Sequence, residues 1–416
     1  MGKEVFEKYE SNVRSYCRKW PAVMEHAKGS IYYDEEGNEY LDFFNGAGAL
    51  NYGHNPDYIK EKLIKYLEDD FIMHSLDMYA SAKADFIKFY EEKVLIPRNL
   101  DYKIMFPGPT GTNGVEMAIK LARKVKGRSN IFALMGAFHG MTVGALALTT
   151  EQAARKGAGI PLNNVTHIPT PYYLDGKFDT LAYLEEILND DHSGIEKPAA
   201  IIIETVQAEG GIHVFSKEFL QGLRTICDKY DILLIVDDIQ AGCSRTGTFF
   251  SFERANIVPD IVVQSKSIGG YGLPLSLVLI KPELDIFKPG EHNGTFRGFQ
   301  LSMVAAKAGL ELMISEDVPS QVKRKEKIVK EYLEKEIKPV LSDKQEIRGI
   351  GLMWGIEFVD GKFARAVLDK CFEKKLVIEL AGRNDSVLKI MPSLVIDDEL
   401  LLKGLAIIKE AIIELQ

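Results

Sequence analysis

Three stretches, AAIIIETVQAEGG (199–211), ILLIVDDIQAGCSRTG (232–247) and IVVQSKSIGG (261–270), decide the fold. Each opens on a continuous apolar run and then meets a charged residue: Glu204, Asp237 and Lys266. A strand that is apolar at successive positions is buried on both faces, as in a parallel sheet covered by helices. Runs of the same kind lie at 103–106 (KIMF), 131–135 (IFALM) and 276–280 (SLVLI). Between them the period changes. Within 113–126, Ala118, Leu121, Ala122 and Val125 fall on one helical face, with Lys120, Arg123 and Lys124 opposite. A second amphipathic helix is predicted over 217–230 (KEFLQGLRTICDKY). This alternation predicts an α/β fold with a mainly parallel sheet.

The flanks read differently. GSIYYDEEGNEYLDFF (29–44) predicts a hairpin, with a polar turn at 34–37 between two aromatic runs, and the glycine-rich FNGAGALNYGH (44–54) reads as a loop. After residue 300 come charged helices (316–337), the run LMWGIEF (352–358) and a last helix (397–415). The expected organisation is a segment 1–55 joining a small domain, a large domain 56–300, and a small α+β domain 301–416 that is thus built from both termini.

The 416 residues carry 51 Lys plus Arg against 60 Asp plus Glu, a net charge of −9, and 46% are apolar. Such a chain has ample core, is not disordered, and lacks the basic balance expected of a nucleic-acid binder. No apolar run approaches the ~20 residues of a membrane span. The opening MGKEVFEKYE has no apolar leader core, and the four cysteines (Cys17, Cys227, Cys243, Cys371) form no CxxC pair. The expectation is a reduced, cytoplasmic protein with no metal site and no membrane or nucleic-acid partner.

In open parallel sheets ligands bind at the carboxyl ends of the strands. Any one charge there reads as a surface strand terminator. Three on neighbouring strands, beside glycine-rich loops, read as a site. A buried lysine opposite a carboxylate suits pyridoxal phosphate. Desolvation lowers the lysine pKa and makes it a usable nucleophile and base. Asp237 would keep the pyridine nitrogen protonated, so that the ring can accept electrons. Glu204 would order groups behind the ring. GPTGTNG (108–114), at the head of the 113–126 helix, offers backbone N–H groups and the positive helix end to a phosphate. Asn113 and Glu116 have capping-box spacing. Phe138, after the 131–135 strand, can stack on a pyridine ring, while His139 is expected to make only local hydrogen bonds.

Together, VDDIQAGCSRTG (236–247), QSKSIGG (264–270), GPTGTNGVEMAIKLAR (108–123), AFHG (137–140) and ETVQAEGG (204–211) resemble the class III, ω-type aminotransferases, which are fold-type I pyridoxal phosphate enzymes. FFNGAGALNYGHN (43–55), HSLDM (74–78) and KPGEHNGTFRG (288–298) are similar to the diaminobutyrate–2-oxoglutarate transaminases within that class. The resemblance implies a seven-stranded sheet in the large domain. It implies Lys266 as the cofactor-bearing lysine and proton shuttle, Asp237 as the pyridinium partner, and Gln240 as ligand of the ring hydroxyl. Gly111 and Thr112 match the phosphate loop, and Phe138 the stacking aromatic. Thr295 matches a threonine that reaches the phosphate from a neighbouring subunit, which implies a homodimer or a dimer of dimers. Glu209 matches a gating carboxylate that pairs with a basic residue when no dicarboxylate is bound.

Several positions depart from the wider class. Met141 stands where FHGRT enzymes have a carboxylate-binding arginine, and Lys389 where a switch arginine is usual. Arg297 is an added cation, and Phe299, Gln300 and Ala208 are also unusual. Arg297 is expected to take over part of the work lost at Met141. The reaction implied is transfer of the amino group of L-glutamate to the terminal carbon of L-aspartate 4-semialdehyde, giving L-2,4-diaminobutyrate and 2-oxoglutarate. In this family that product supplies ectoine synthesis, and elsewhere siderophores or peptide antibiotics. Another ω-aminotransferase, acting on ornithine, 4-aminobutyrate or a related amine, is the alternative, and a mutase on the same cofactor a more distant one.

Overall fold

The computed structural model describes residues 2–416; Met1 lies outside them. Met24–Lys28 (β1), Ile31–Asp34 (β2) and Glu39–Asp42 (β3) form an antiparallel ladder, and β2 and β3 make the predicted hairpin. Asp34 fixes its turn by accepting hydrogen bonds from the Glu36 and Asn38 amides at 3.1 and 2.8 Å. The 44–54 segment is a loop, and its Asn45–Gly48 turn is built on backbone of positive φ at all four residues.

The large sheet uses Lys103–Met105 (β4), Ile131–Leu134 (β5), Val165–Ile168 (β6) and Ala200–Ile203 (β7). After β7 a two-stranded hairpin of Val206–Gln207 (β8) and His213–Val214 (β9) stands apart. Leu233–Asp237 (β10), Ile261–Gln264 (β11) and Leu277–Ile280 (β12) complete the sheet, in the order β4-β12-β11-β10-β7-β5-β6. Only β12 runs against the rest. The strand absent from the sequence reading is β6, whose residues VTHI lack a continuous apolar run.

Alternate residues of these strands enter two different cores. Ile201, Ile203, Leu234, Val236 and Val262 pack on one face, and Ala200, Ile202, Leu233, Ile235 and Val263 on the other. Burying each of the larger side chains is worth about 1.5–3 kcal/mol. Helices Gly111–Lys126 and Lys217–Lys229 cover opposite faces, with Val115, Ala118 and Leu121 joining one core and Phe219, Leu223 and Ile226 the other. The charged 316–337 stretch falls in the helix Val318–Tyr332 and the turns that prolong it, preceded by an unpredicted helix Gln300–Ser315.

A second sheet near the C-terminus consists of Glu346–Ile350 (β13), Met353–Glu357 (β14), Glu379–Ala381 (β16) and Val387–Ile390 (β17), in the order β13-β14-β17-β16. Leu376–Val377 (β15) pairs in parallel with β3, so the N-terminal ladder is continuous with C-terminal chain. The last helix spans Asp398–Glu414. No helix among the described residues is long and apolar enough to cross a membrane.

Candidate active site

β7, β10 and β11 are neighbours in the sheet, and their carboxyl ends deliver Glu204, Asp237 and Lys266 to one cavity of about 280 Å³. Gly111, Thr112, Phe138, Glu209 and Gln240 line the same cavity, as do His139 and Met141. Thr295 and Arg297 do not line it: Thr295 is exposed on a turn, and Arg297 is held by Asp77 and by the His292 carbonyl, the latter at 2.9 Å.

Lys266 follows β11 in a left-handed conformation, φ 54°. A non-glycine residue held there is strained, a cost met where surrounding structure enforces it and typical of functional positions. Burial pushes the Lys266 ammonium pKa down, against the pull of Glu209. The amine is therefore more readily neutral than a surface lysine.

Asp237 is fixed from two sides. Its Oδ1 accepts the Ile239 amide at 3.2 Å, and its Oδ2 lies 2.7 Å from His139 Nδ1. His139 is thus no local spectator but a partner of the central carboxylate. Burial disfavours its charged form, yet the Asp237 hydrogen bond and charge outweigh burial and raise its pKa. The sequence offered no periodic signal for this, because the two residues meet only when β5 and β10 flank β7. Glu204 accepts the Phe138 amide at 3.0 Å and the Ala208 amide at 3.3 Å, so it shapes the loop carrying Phe138. Burial pushes its carboxyl up to about 7, with His139 opposing.

The helix at the expected phosphate loop starts at Gly111, two residues before the expected cap, and no side chain caps it. The Asn113–Glu116 capping box does not form. Thr110 donates to Asn113 Oδ1 at 2.7 Å, and Glu116 instead takes the Thr142 hydroxyl (2.6 Å) and the Ala145 amide (3.0 Å). The helix end stays open to an anion as a result. Gly140 crosses this loop closely: its φ is +126°, and an added Cβ would sit 2.4 Å from Thr112 Oγ1.

Lys389 lies behind Glu209, fully buried. Its Nζ donates to Glu209 Oε1 at 2.6 Å, and Gln240 Nε2 donates to the same oxygen at 3.3 Å. Burial would raise the Glu209 carboxyl, but Lys389 and Lys266 prevail and hold it at about 2. The same contacts lift the Lys389 pKa above the ordinary lysine value despite burial. The unusual Gln300 and Ala208 both have structural employment. Gln300 is buried and accepts the Lys83 amide at the start of helix Ser81–Tyr90, while donating to Ser75 Oγ and the Gly298 carbonyl. Ala208 is buried in a small apolar cluster that includes Val206, Met353 and Met391.

The family model for class-III aminotransferases matches residues 14–412. The chain belongs to the class-III aminotransferases. It is 52% identical to a diaminobutyrate–2-oxoglutarate transaminase of Halalkalibacterium halodurans over 408 residues, 98% of this chain and 96% of that one. A Streptomyces coelicolor protein of the same name is 50% identical over 412 residues, 99% of this chain and 97% of the other. Among solved structures, the ornithine aminotransferase of Toxoplasma gondii superposes with a TM-score of 0.86 at 25% identity, covering 99% of this chain and 94% of its own. A transaminase from a marine Virgibacillus shares the fold at TM-score 0.89 and 19% identity, covering 99% and 98%.

The cofactor of this class-III aminotransferase is pyridoxal 5′-phosphate. The residues present fit it. Gln240 Oε1 is buried without a protein partner, where a ring hydroxyl can donate to it. Asp237 offers a carboxylate to a protonated ring nitrogen, the uncapped helix end suits a phosphate, and Lys266 presents a buried amine.

Proposed function

We propose that this aminotransferase moves the amino group of L-glutamate to the terminal carbon of L-aspartate 4-semialdehyde, yielding L-2,4-diaminobutyrate and 2-oxoglutarate. The observation carrying this reading is half-identity, over almost the whole chain, to transaminases of that name. Pyridoxal phosphate, when bound, supplies the aldehyde that takes up the amino group and the ring that delocalises carbanion charge. The protein's residues do the rest. Lys266 Nζ would hold the cofactor through its aldehyde and, as the base, would move the proton at the amino-bearing carbon of glutamate. Asp237, braced by His139, would keep the proton on the ring nitrogen. Gln240 would receive the ring hydroxyl, Phe138 would stack on the ring, and Gly111 and Thr112 would hold the phosphate.

The two amino donors differ beside the reacting carbon. Glutamate carries a carboxylate there; the terminal carbon of diaminobutyrate carries none. Glu209 covers Lys389 for the second and yields it to the first. Lys389 is a point cation, so it receives that carboxylate less geometrically than an arginine. Arg297 does not line the cavity of its own subunit, so it would serve the carboxylate that Met141 cannot bind only across the dimer, from the same turn as Thr295. The protein works as a homodimer in which Thr295 reaches the phosphate of the other subunit. Exposed Phe71, Ile72, Met78 and Phe296 support this, being apolar surface near the Thr295 turn, to which Ser75 is tied by its 3.0 Å hydrogen bond to Gly298.

Purified enzyme supplied with L-glutamate and aspartate 4-semialdehyde should form diaminobutyrate. A protein that is inactive on this pair but aminates 2-oxoglutarate from ornithine or 4-aminobutyrate would overturn the substrate assignment. Borohydride reduction should fix the cofactor on Lys266, and labelling elsewhere would overturn its role.

A further inference from the structure

A second carboxylate, Glu379, which does not line the cavity, also touches Lys389. Lys389 Nζ is 2.6 Å from Glu379 Oε1, as close as it is to Glu209. Both are short, charge-assisted contacts to the same ammonium, and both raise its pKa. They differ in mobility. Glu379 sits on β16 directly opposite Lys389 of β17, so sheet register holds the pair together. Gly355 of β14 faces Lys389 from the other side. Glu209 belongs to the short hairpin between β8 and β9, lines the cleft, and keeps 32% of its side chain exposed, against 3% for Glu379.

One ammonium thus serves two carboxylates, one exchangeable and one standing. Whenever Glu209 swings away, a fully buried lysine without another counter-ion would be left unpaired. An unpaired buried charge is strongly unfavourable, and such a lysine sheds its proton or moves toward water. Either response would spoil it as a receptor for an incoming carboxylate.

We propose that Glu379 is a positioning residue for dicarboxylate recognition, holding the Lys389 ammonium charged and in place while Glu209 gives way to the substrate carboxylate. This rests on the reading that Lys389 receives the carboxylate beside the reacting carbon of glutamate. Because Glu379 stays put, opening the gate exchanges one carboxylate for another around a stationary cation. The charge in the cleft wall is the same before and after.

The test compares holoenzyme with its Glu379→Gln, Glu379→Asp and Lys389→Gln variants. Glutarate, a dicarboxylate that cannot react, is titrated calorimetrically. The half-reactions with L-glutamate and with L-2,4-diaminobutyrate are followed by cofactor absorbance. Loss of one charge-assisted contact should weaken glutarate about tenfold in Glu379→Gln. The half-saturation concentration of glutamate should rise by about the same factor with its limiting rate kept, while that of diaminobutyrate moves less than about twofold. Glu379→Asp, which retains the charge, should recover part of the loss. Unchanged or tighter glutarate binding in Glu379→Gln would overturn the inference, tighter binding being the outcome if Glu379 merely adds negative charge. Equal weakening of both half-reactions would also overturn it, as a general structural defect. If Lys389→Gln too leaves glutarate binding intact, the gate itself is wrong; if only Lys389→Gln weakens it, the gate stands and the role of Glu379 falls.

Discussion

His139 and Asp237 are 98 positions apart in the chain, yet His139 Nδ1 lies 2.7 Å from Asp237 Oδ2 in a pair sealed from water. The imidazole braces the carboxylate proposed to meet the cofactor nitrogen, so it would set both the orientation and the charge of that carboxylate. Hydrogen bonds to charged groups contribute about 1.5–3 kcal/mol. His139→Ala should therefore lower kcat roughly tenfold to a hundredfold, with cofactor still bound through Lys266. Steady-state kinetics beside a cofactor absorbance spectrum check this, and an unchanged kcat would remove His139 from the site. The pair also has a pH signature. The His139 pKa is raised in the fold. Its stabilisation is fully present below about 6.5, the unfolded value, and is lost as pH rises through the higher folded value.

Glu204 has a different pH signature. Its folded pKa of about 7 exceeds the usual value because burial disfavours the carboxylate. The folded state therefore binds the extra proton between roughly pH 4.5 and 7, and stability drains away as pH rises across that window. Comparing wild type with Glu204→Gln cancels the pH-independent change in hydrogen bonding. The difference in unfolding free energy should move in the variant's favour by about 2 kcal/mol between pH 5 and pH 8. Denaturant unfolding at the two pH values measures it, and a pH-independent difference would contradict the buried-carboxyl account.

Gly140→Ala should impair cofactor retention more than folding. The added methyl meets Thr112 Oγ1 at 2.4 Å and the backbone holds φ +126°. The loop at Thr112, proposed to hold the phosphate, must shift, and pyridoxal phosphate affinity should fall at least about tenfold, which dialysis followed by cofactor titration would show.

Gln300→Ala removes the acceptor from the Lys83 amide and the donor from Ser75 Oγ and the Gly298 carbonyl. Leaving such groups unpaired in a buried setting costs about 1–3 kcal/mol each. Thermal unfolding should reveal a clear destabilisation, accompanied by looser packing of the 295–299 turn.

Arg297→Ala tests the assignment of a substrate carboxylate to that cation. KM for both amino acids should rise about tenfold, the cost of a charge-assisted contact. Unchanged KM values would leave Arg297 to its Asp77 and His292 contacts alone.

Much of the site was readable because its parts are local. Apolar runs locate strands, the residue after each run occupies the strand's carboxyl end, and the sheet order β11-β10-β7 then brings Lys266, Asp237 and Glu204 together. The reading was weaker where a side chain chose between local and distant partners. Asn113 and Glu116 had capping-box spacing, but Glu116 found better donors in Thr142 and Ala145 from the next loop. β6 is not legible in the sequence because its VTHI is only half-buried at three of its four positions, so its composition lacks the continuous apolar signal.

The sequence by itself determined the α/β alternation, the hairpin near the N-terminus and the charged residues at three strand ends. Those follow from hydrophobic periodicity and strand termini, which act over a few residues. Only the tertiary structure decided that His139 braces Asp237, that Gln300 clamps the start of a helix, and that Lys389 lies between Glu209 and Glu379. Each is a contact fixed by sheet order or strand register, and buried charges of opposite sign become partners only when folding has excluded the water that would otherwise solvate them.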